Sequence, residues 1–224
     1  MPDQSTPISR LDLPYQNLVL TGFLGVGKST IAREIVRRLA VDLLDVDEEI
    51  ELRELMSIAK LRELYGDTRL RALEHDLCRQ AALMRRSVIV VPGAALLDAR
   101  NYELMSDTGI IVCLSCELGE ALRRMHLGSE QHYRDATIRR RMLSRLRREY
   151  AIVDDPRVLQ LDTTHLNIEQ ETNLLIHLWA TGKSQGPWFH QGPRQRIKPP
   201  PRPPVGLSSR ATGILPSPKV RRKG

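Results

Sequence analysis

The nine residues from 22 to 30, Gly-Phe-Leu-Gly-Val-Gly-Lys-Ser-Thr, match the phosphate-binding loop pattern G-x-x-x-x-G-K-[ST] in full. In this pattern backbone N–H groups cradle phosphates, the lysine reaches the outer ones and the hydroxyl ligates Mg²⁺. Residues 17–21 are an apolar run typical of a buried strand, and apolar residues recur at four-residue spacing from 31 to 39, which predicts a helix. Strand, glycine turn and helix in that order aim a helix N-terminus at an anion. We therefore expect nucleoside triphosphate binding.

The rest of the domain alternates between predicted strands and helices. Apolar runs at residues 41–47, 87–91, 109–114 and 158–161 predict four further strands, each separated from the next by helical patterns. This alternation is typical of a parallel sheet covered on both faces. We expect an α/β fold of three layers, α/β/α, with a central five-stranded parallel sheet and ligands at the carboxyl ends of its strands.

Composition sets the boundaries of this domain. The length of 224 residues suits one sizeable α/β domain, which we place at residues 14–182, after a flexible N-terminus at residues 1–13. No run of about 18 apolar residues occurs, so no membrane span is expected. The chain has three cysteines, which suits a reducing compartment, and we expect a cytoplasmic monomer. Two of them, Cys113 and Cys116, have metal-ligand spacing but lack partners at similar spacing, so we interpret them as buried small residues.

Residues 183–224 differ from the rest of the chain in composition. They hold ten Lys or Arg, no Asp or Glu, and nine of the 14 prolines. Without them the chain has 24 basic and 27 acidic residues, a net charge of −3 instead of +7. We predict a disordered, proline-rich basic tail. It is either a solubilising appendage or an arm that makes weak contact with nucleic acid, whereas the folded domain is not expected to bind nucleic acid.

Two carboxylates follow the second predicted strand. In an extended segment residues two apart point the same way, so Asp45 and Asp47 are expected on one side. Near a triphosphate one acid would order Mg²⁺ and its waters while the other faces the group that accepts the phosphate. The alternative is a strand-end pair in which Asp47 caps the following helix.

Four segments in this order resemble the successive motifs of shikimate kinases: residues 21–30, 45–51, 57–58 and 66–74. The resemblance is convincing over about residues 17–125. It implies a small P-loop kinase that transfers the γ-phosphate of ATP to a ring hydroxyl of shikimate, a step in making aromatic amino acids.

The resemblance also implies roles for individual residues. The loop would hold the ATP phosphates through Gly25, Val26, Gly27, Lys28, Ser29 and Thr30, with Lys28 acting in catalysis. Ser29 would ligate Mg²⁺ and Asp45 would lie in its outer shell. Asp47 would bind the acceptor hydroxyls and act as the base. Arg71 would bind the substrate carboxylate through two parallel hydrogen bonds, with Glu74 one turn on to orient it.

The chain departs from the family at the turn after the third strand and at the lid. Residues 91–95 read Val-Pro-Gly-Ala-Ala where the family has three glycines, so only Gly93 remains at the acceptor site. The family's Arg-Pro-Leu lid element is absent from residues 126–136, where Arg134 is the nearest candidate to close over the phosphates. In the next helix either Arg147 or Arg148 would match the second substrate-carboxylate arginine.

We therefore expect ATP- and Mg²⁺-dependent phosphorylation of shikimate or a similar hydroxy acid. Two alternatives stay open. The altered turn and lid allow a P-loop kinase for another small hydroxylated metabolite. The second alternative is a nucleotide-binding regulatory protein that no longer transfers phosphate efficiently. Such a protein has no need of an acid and an arginine on the acceptor side.

Overall fold

A computed structural model describes residues 8–128 and 136–191, with the side chains of residues 126–128, 136–139 and 141 left out. The core is one six-stranded sheet in the order β2-β3-β1-β4-β5-β6. The strands are β1 (Asn17–Gly22), β2 (Leu43–Asp45), β3 (Val88–Val90), β4 (Gly109–Ser115), β5 (Leu159–Asp162) and β6 (Phe189–Gln191). The first five strands run parallel, and β6 pairs antiparallel with β5.

The sheet centre is apolar because helices cover both of its faces. All six residues of β1 are buried, and Leu18 pairs in register with Val88 on one side and Ile110 on the other. Continuous Val, Ile and Leu runs of this kind are typical of parallel strands buried on both faces. The predicted α/β class, the three layers and the five parallel strands are confirmed.

Eight helices and two 3₁₀ turns connect the strands in the described part of the chain. The helices are α1 (Lys28–Leu39), α2 (Val46–Glu54), α3 (Ile58–Ala81), α4 (Gly93–Leu96), α5 (Ala99–Thr108), α6 (Leu118–Gly128), α7 (Ala136–Tyr150) and α8 (Ile168–Thr181); the 3₁₀ turns are Arg10–Asp12 and Ala151–Asp154. In α1 the buried residues include Ile31, Ile35 and Leu39, which are the apolar positions of the sequence pattern. The long helix α3 has a kink at Gly66, whose φ of +76° is not helical.

Two elements correct the sequence prediction. The sheet has six strands and not five, since β6 lies beyond residue 182, where we placed the end of the domain and the start of the tail. Its backbone pairs with β5 at Leu161 and Phe189, so the segment just after the boundary belongs to the sheet. The short helix α4 was also missed. Residues 1–7 and 192–224, with most of the predicted tail, lie outside the described residues.

The described helices include none that is both long and apolar enough to cross a bilayer. The two cysteines with metal-ligand spacing, Cys113 and Cys116, are buried, as is Cys78, and none of the three forms a disulfide. Their interpretation as buried small residues is confirmed.

Candidate active site

The phosphate loop lies between the end of β1 and the start of α1. Gly25 has a φ of +85°, and a Cβ on it would lie 2.6 Å from the Met125 Cγ of α6, so both backbone conformation and space require glycine there. Gly27 is the N-cap of α1 and has no side chain to cover the first-turn N–H groups. The loop therefore presents an open helix N-terminus, the arrangement that favours anions.

A cleft of about 310 Å³ opens above this loop. Its volume is within the range of small-molecule sites, roughly 300–1,000 Å³. The lining includes Gly25, Lys28, Ser29, Asp45, Asp47 and Arg124. The cleft lies at the carboxyl ends of β1, β2 and β3, as expected for ligands of a parallel sheet. We call it the phosphate-loop cleft.

Lys28 is folded back over its own loop. Its Nζ donates hydrogen bonds to the carbonyl oxygens of Gly22, at 2.9 Å, and Phe23, at 3.1 Å. The same Nζ lies 3.8 Å from the Glu149 Oε2 of α7, and the Lys28 side chain is 10% exposed. The ammonium is thus held at the edge of the cleft by oxygen atoms on three sides.

Ser29 and Asp45 are joined by a hydrogen bond at the wall of the phosphate-loop cleft. The Ser29 Oγ donates a hydrogen bond of 2.6 Å to the Asp45 Oδ2. Asp45 caps α2 by accepting from the backbone N–H of Asp47 at 3.2 Å. Burial raises the pKa of Asp45, and the hydrogen bond from Ser29 opposes that shift. A hydroxyl and a carboxylate side by side are ligands that suit Mg²⁺.

Asp47 lies in the first turn of α2, since β2 ends at Asp45. Strand alternation therefore does not explain why both carboxylates line the cleft, and the capping role falls to Asp45. Asp47 forms a hydrogen-bonded ion pair with Arg145 of α7, whose Nε donates to the Glu149 Oε1 at 2.6 Å. Burial alone would lower the pKa of Arg145, but the two carboxylates raise it.

A second, much smaller cavity lies beside Asp47, and we call it the Glu74 cavity. Its volume is about 10 Å³, roughly the space of one water molecule. Arg145, Asp47 and Pro92 line both this cavity and the phosphate-loop cleft. Glu74 is buried in its wall, and burial raises the pKa of this carboxyl to about 7, with Asp47 adding to the shift.

Two arginines from different helices line the Glu74 cavity. They are Arg62 of α3 and Arg148 of α7. Burial and the charge of Arg62 lower the pKa of Arg148. Arg62 pairs with Asp67, whereas the hydrogen bond that Arg148 makes within the described residues goes to the Ser144 Oγ, at 2.9 Å. The cavity is thus positively charged on one side.

Other predicted residues lie away from these two cavities. Arg71 is exposed on α3, lines neither of them, and forms no hydrogen bond or ion pair within the described residues. Arg147 is likewise exposed and lines neither. Gly93 is buried, and a Cβ on it would lie 2.6 Å from the Glu149 carbonyl oxygen, so its place in the fold is a close helix contact. Arg134 lies outside the described residues.

Four site residues were not predicted as such: Arg62, Arg124, Arg145 and Glu149. Arg124 of α6 donates to the Val26 carbonyl oxygen, at 3.0 Å, and to the Thr163 carbonyl oxygen, at 2.7 Å. The helix of Arg145 contains many arginines, and nothing in its sequence separates the inward side chain from the solvated ones. Glu149 has a weak signal, because it is the one acid in an otherwise basic helix.

Strand order, phosphate loop and the acid pair opposite it define the chain as a protein with the P-loop kinase fold. The shikimate kinase family model matches residues 24–178. The chain belongs to the shikimate kinase family.

Individual relatives agree with this assignment. A shikimate kinase of Geobacter sulfurreducens is 36% identical over 110 residues, which are 49% of this chain and 61% of that protein. That match therefore spans less than two thirds of the relative's length. A shikimate kinase of Pelotomaculum thermopropionicum is 27% identical over 162 residues, 72% of this chain and 94% of that protein. The crystal structure of the shikimate kinase of Bacteroides thetaiotaomicron superposes with a TM-score of 0.60 at 25% identity, covering 74% of this chain and 98% of that one.

Proposed function

We propose that this chain transfers the γ-phosphoryl group of ATP to a hydroxyl of shikimate or a closely similar hydroxylated carboxylic acid. The observation that carries the proposal is the shared wall of the two cavities. Asp47 and Arg145 line both the phosphate-loop cleft and the Glu74 cavity, so a nucleotide in one and an acceptor in the other would meet at these side chains. Family membership and the named activity of the relatives support the choice of acceptor.

The phosphate loop fits a nucleotide. The N-terminus of α1 has no side-chain cap, and the residues we assign to the phosphates are Gly25, Val26, Gly27, Lys28, Ser29 and Thr30. ATP supplies the phosphoryl group when bound. Lys28 would balance charge on the outer phosphates, and Arg124, which lines the same cleft, would border the nucleotide. Arg134 remains the proposed residue for closing over the phosphates.

Ser29 and Asp45 fit a magnesium ion. Their hydrogen-bonded oxygens face the cleft beside the lysine, and Mg²⁺ in phosphoryl-transfer sites is held by one or two protein oxygens together with phosphates and waters. We assign the Ser29 hydroxyl as the direct ligand and the Asp45 carboxylate as the partner of a metal-bound water.

Asp47 is the proposed base for the acceptor hydroxyl. It faces the Glu74 cavity but is paired with Arg145, and the cavity in this form holds only about 10 Å³. A six-membered ring therefore requires Arg145 and its neighbours to move aside. Because phosphoryl transfer depends mostly on positioning and charge stabilisation, we expect the base to contribute less than Lys28.

The acceptor carboxylate would bind at the basic side of the Glu74 cavity. Arg62 and Arg148 approach each other there, and an anion between two guanidinium groups would relieve their repulsion. Arg71, assigned to this role by resemblance, would have to turn inward from its exposed position on α3. Gly93 would shape the site by letting α7 approach α4 closely.

A kinase for another hydroxylated metabolite is the second candidate. Pro92 and Ala94 line the Glu74 cavity where the family has glycines. Pro92 has no N–H to donate to an acceptor in the cavity. One lost hydrogen bond to a charged group costs about 1.5–3 kcal/mol, roughly 10- to 150-fold in affinity. We therefore expect a raised KM for shikimate.

The setting of this activity is part of the proposal. Three buried cysteines that form no disulfide suit a reducing compartment, so we place the protein in the cytoplasm. We propose that it acts as a monomer, because residues of one chain build both cavities. Light scattering behind size exclusion tests this point.

The function is tested by ADP release at saturating ATP and Mg²⁺, with shikimate or inositol as acceptor. We expect turnover with shikimate, little with inositol because it lacks a carboxylate, and none above background in Lys28→Ala. Equal turnover of both acceptors would contradict the proposed acceptor class. Full turnover in Lys28→Ala would contradict the proposed phosphate site.

A further inference from the structure

Glu149 is a buried acid for which the proposed chemistry has no use. Its side chain is 3% exposed. One carboxylate oxygen, Oε1, accepts the 2.6 Å hydrogen bond from the Nε of Arg145. The other, Oε2, accepts no hydrogen bond from any described residue and lies 3.8 Å from the Lys28 Nζ. A buried carboxylate thus faces the lysine that we assign to the phosphates.

The position of Glu149 is fixed by packing on two sides. Its carbonyl oxygen sits so close to Gly93 that even a methyl group there would clash, at 2.6 Å. The next residue, Tyr150, packs against Phe23 of the phosphate loop with ring centroids 5.1 Å apart. The C-terminal end of α7 is therefore held between α4 and the loop, which keeps the Glu149 side chain buried beside Lys28.

Lys28 has two kinds of partner in this arrangement. Two of its ammonium protons go to the carbonyl oxygens of Gly22 and Phe23, and its charge is balanced by Glu149. A bound triphosphate would draw the Lys28 ammonium toward its outer phosphates. This movement separates the ammonium from the Glu149 carboxylate. Arg145 stays paired with Oε1, but Oε2 has no hydrogen-bond partner among the described residues, so in a buried site water does not replace the charge of Lys28 beside it.

We propose that Glu149 is a positioning residue that holds Lys28 in its resting place, so that nucleotide binding competes with the Lys28–Glu149 pair. The inference rests on the nucleotide site of the proposed function and not on the identity of the acceptor. Glu149 thereby restrains nucleotide affinity, and removing its charge makes binding tighter. A residue with only a structural role has the opposite effect, because damage to the loop weakens binding.

The first test measures nucleotide affinity in Glu149→Gln. Glutamine keeps the shape and an oxygen that can accept from Arg145, but it has no charge to hold Lys28. Calorimetric titration with ADP and with a non-hydrolysable ATP analogue, both with Mg²⁺, should show a dissociation constant about 5- to 20-fold lower than in the wild type. Glu169→Gln, an exposed acid on α8, is the matched control and should bind as the wild type does.

The second test separates the Lys28–Glu149 pair from general repulsion between Glu149 and the phosphates. In the nucleotide-free protein, urea unfolding of Lys28→Met, Glu149→Gln and the double variant forms a double-mutant cycle. Each single substitution raises the unfolding equilibrium constant by some factor. If the two residues interact, the factor for the double variant should be at least about fivefold smaller than the product of the two single factors. Effects that simply multiply would overturn the inference.

The remaining outcomes are equally decisive. Unchanged or weaker nucleotide binding in Glu149→Gln overturns the inference while the proposed function stands, provided that the wild type binds nucleotide. A wild-type protein that binds no nucleotide overturns the proposed function and this inference together.

Discussion

Glu74 links the candidate site to a measurable dependence of stability on pH. Glu74 is 6% exposed, and burial raises the pKa of its carboxyl group from an ordinary 4.5 to about 7. Asp47 and Glu149 act in the same direction, whereas Arg62 and Arg145 oppose it. Between pH 4.5 and 7 the folded protein therefore keeps a proton on Glu74 that the unfolded chain has released. The contribution of this group to stability falls as pH rises through that window.

The size of the effect follows from the shift. The rise in pKa from 4.5 to about 7 corresponds to about 3 kcal/mol at full ionisation, and roughly 2–3 kcal/mol of it is lost between pH 5 and pH 8. Glutamine at this position mimics the protonated acid at every pH. We therefore expect Glu74→Gln to gain roughly 2–3 kcal/mol in the free energy of unfolding, relative to the wild type, when the pH is raised from 5 to 8.

Urea unfolding followed by circular dichroism at several pH values between 5 and 8 measures this difference. Glu169→Gln, an exposed acid, is the control and should stay parallel to the wild type. Stability curves of Glu74→Gln and the wild type that also run parallel would refute the reasoning, because they would mean that Glu74 ionises alike in the folded and unfolded states.

Three further outcomes follow from the site. Gly25→Ala should raise the dissociation constant for nucleotide more than about tenfold, because its positive φ and its contact with Met125 both exclude a Cβ; unchanged calorimetric titration would contradict this. Deleting residues 192–224 should leave kcat and KM within a few fold, and a collapse of activity would show that the tail completes the site. Arg148 lines the Glu74 cavity and Arg147 does not, so Arg148→Ala should raise the acceptor KM at least about tenfold and Arg147→Ala less than about twofold. Similar effects of the two substitutions would contradict the binding of the acceptor carboxylate in this cavity.

The phosphate loop and the parallel sheet could be predicted from sequence because their signals are local. The pattern ending in Lys28 and Ser29 specifies glycines, a lysine and a hydroxyl at fixed spacing, and the strand and helix around it each show their own periodicity. The central strands β1 and β3 are buried along their whole length, so their apolar runs stand out from the flanking polar segments. Their mutual pairing follows from the alternation of strands with helices.

The sixth strand could not be found in this way. β6 has three residues and lies in a segment rich in basic residues and proline, so its pairing with β5 depends on a neighbour that is far away in sequence. Composition favoured disorder there, whereas the aromatic pair Trp188 and Phe189, which packs on the core, was the signal for order.

The acceptor side could be predicted only in part. Asp45 and Asp47 both line the phosphate-loop cleft as expected, although helix capping and not strand alternation places them. Arg145 is separated from Asp47 by almost a hundred residues, and the pair exists only because the fold brings this side chain of α7 to the first turn of α2. A helix with arginines on every face gives no periodic signal for the one that turns inward.

Direct identification of the product tests the central claim. Protein, ATP, Mg²⁺ and shikimate are incubated, and ³¹P NMR follows the γ-phosphate. We predict a phosphomonoester of shikimate that appears in step with ADP and is absent with Lys28→Ala. Inorganic phosphate as the sole new signal, or no phosphorylated shikimate while another hydroxy acid is phosphorylated, would contradict it.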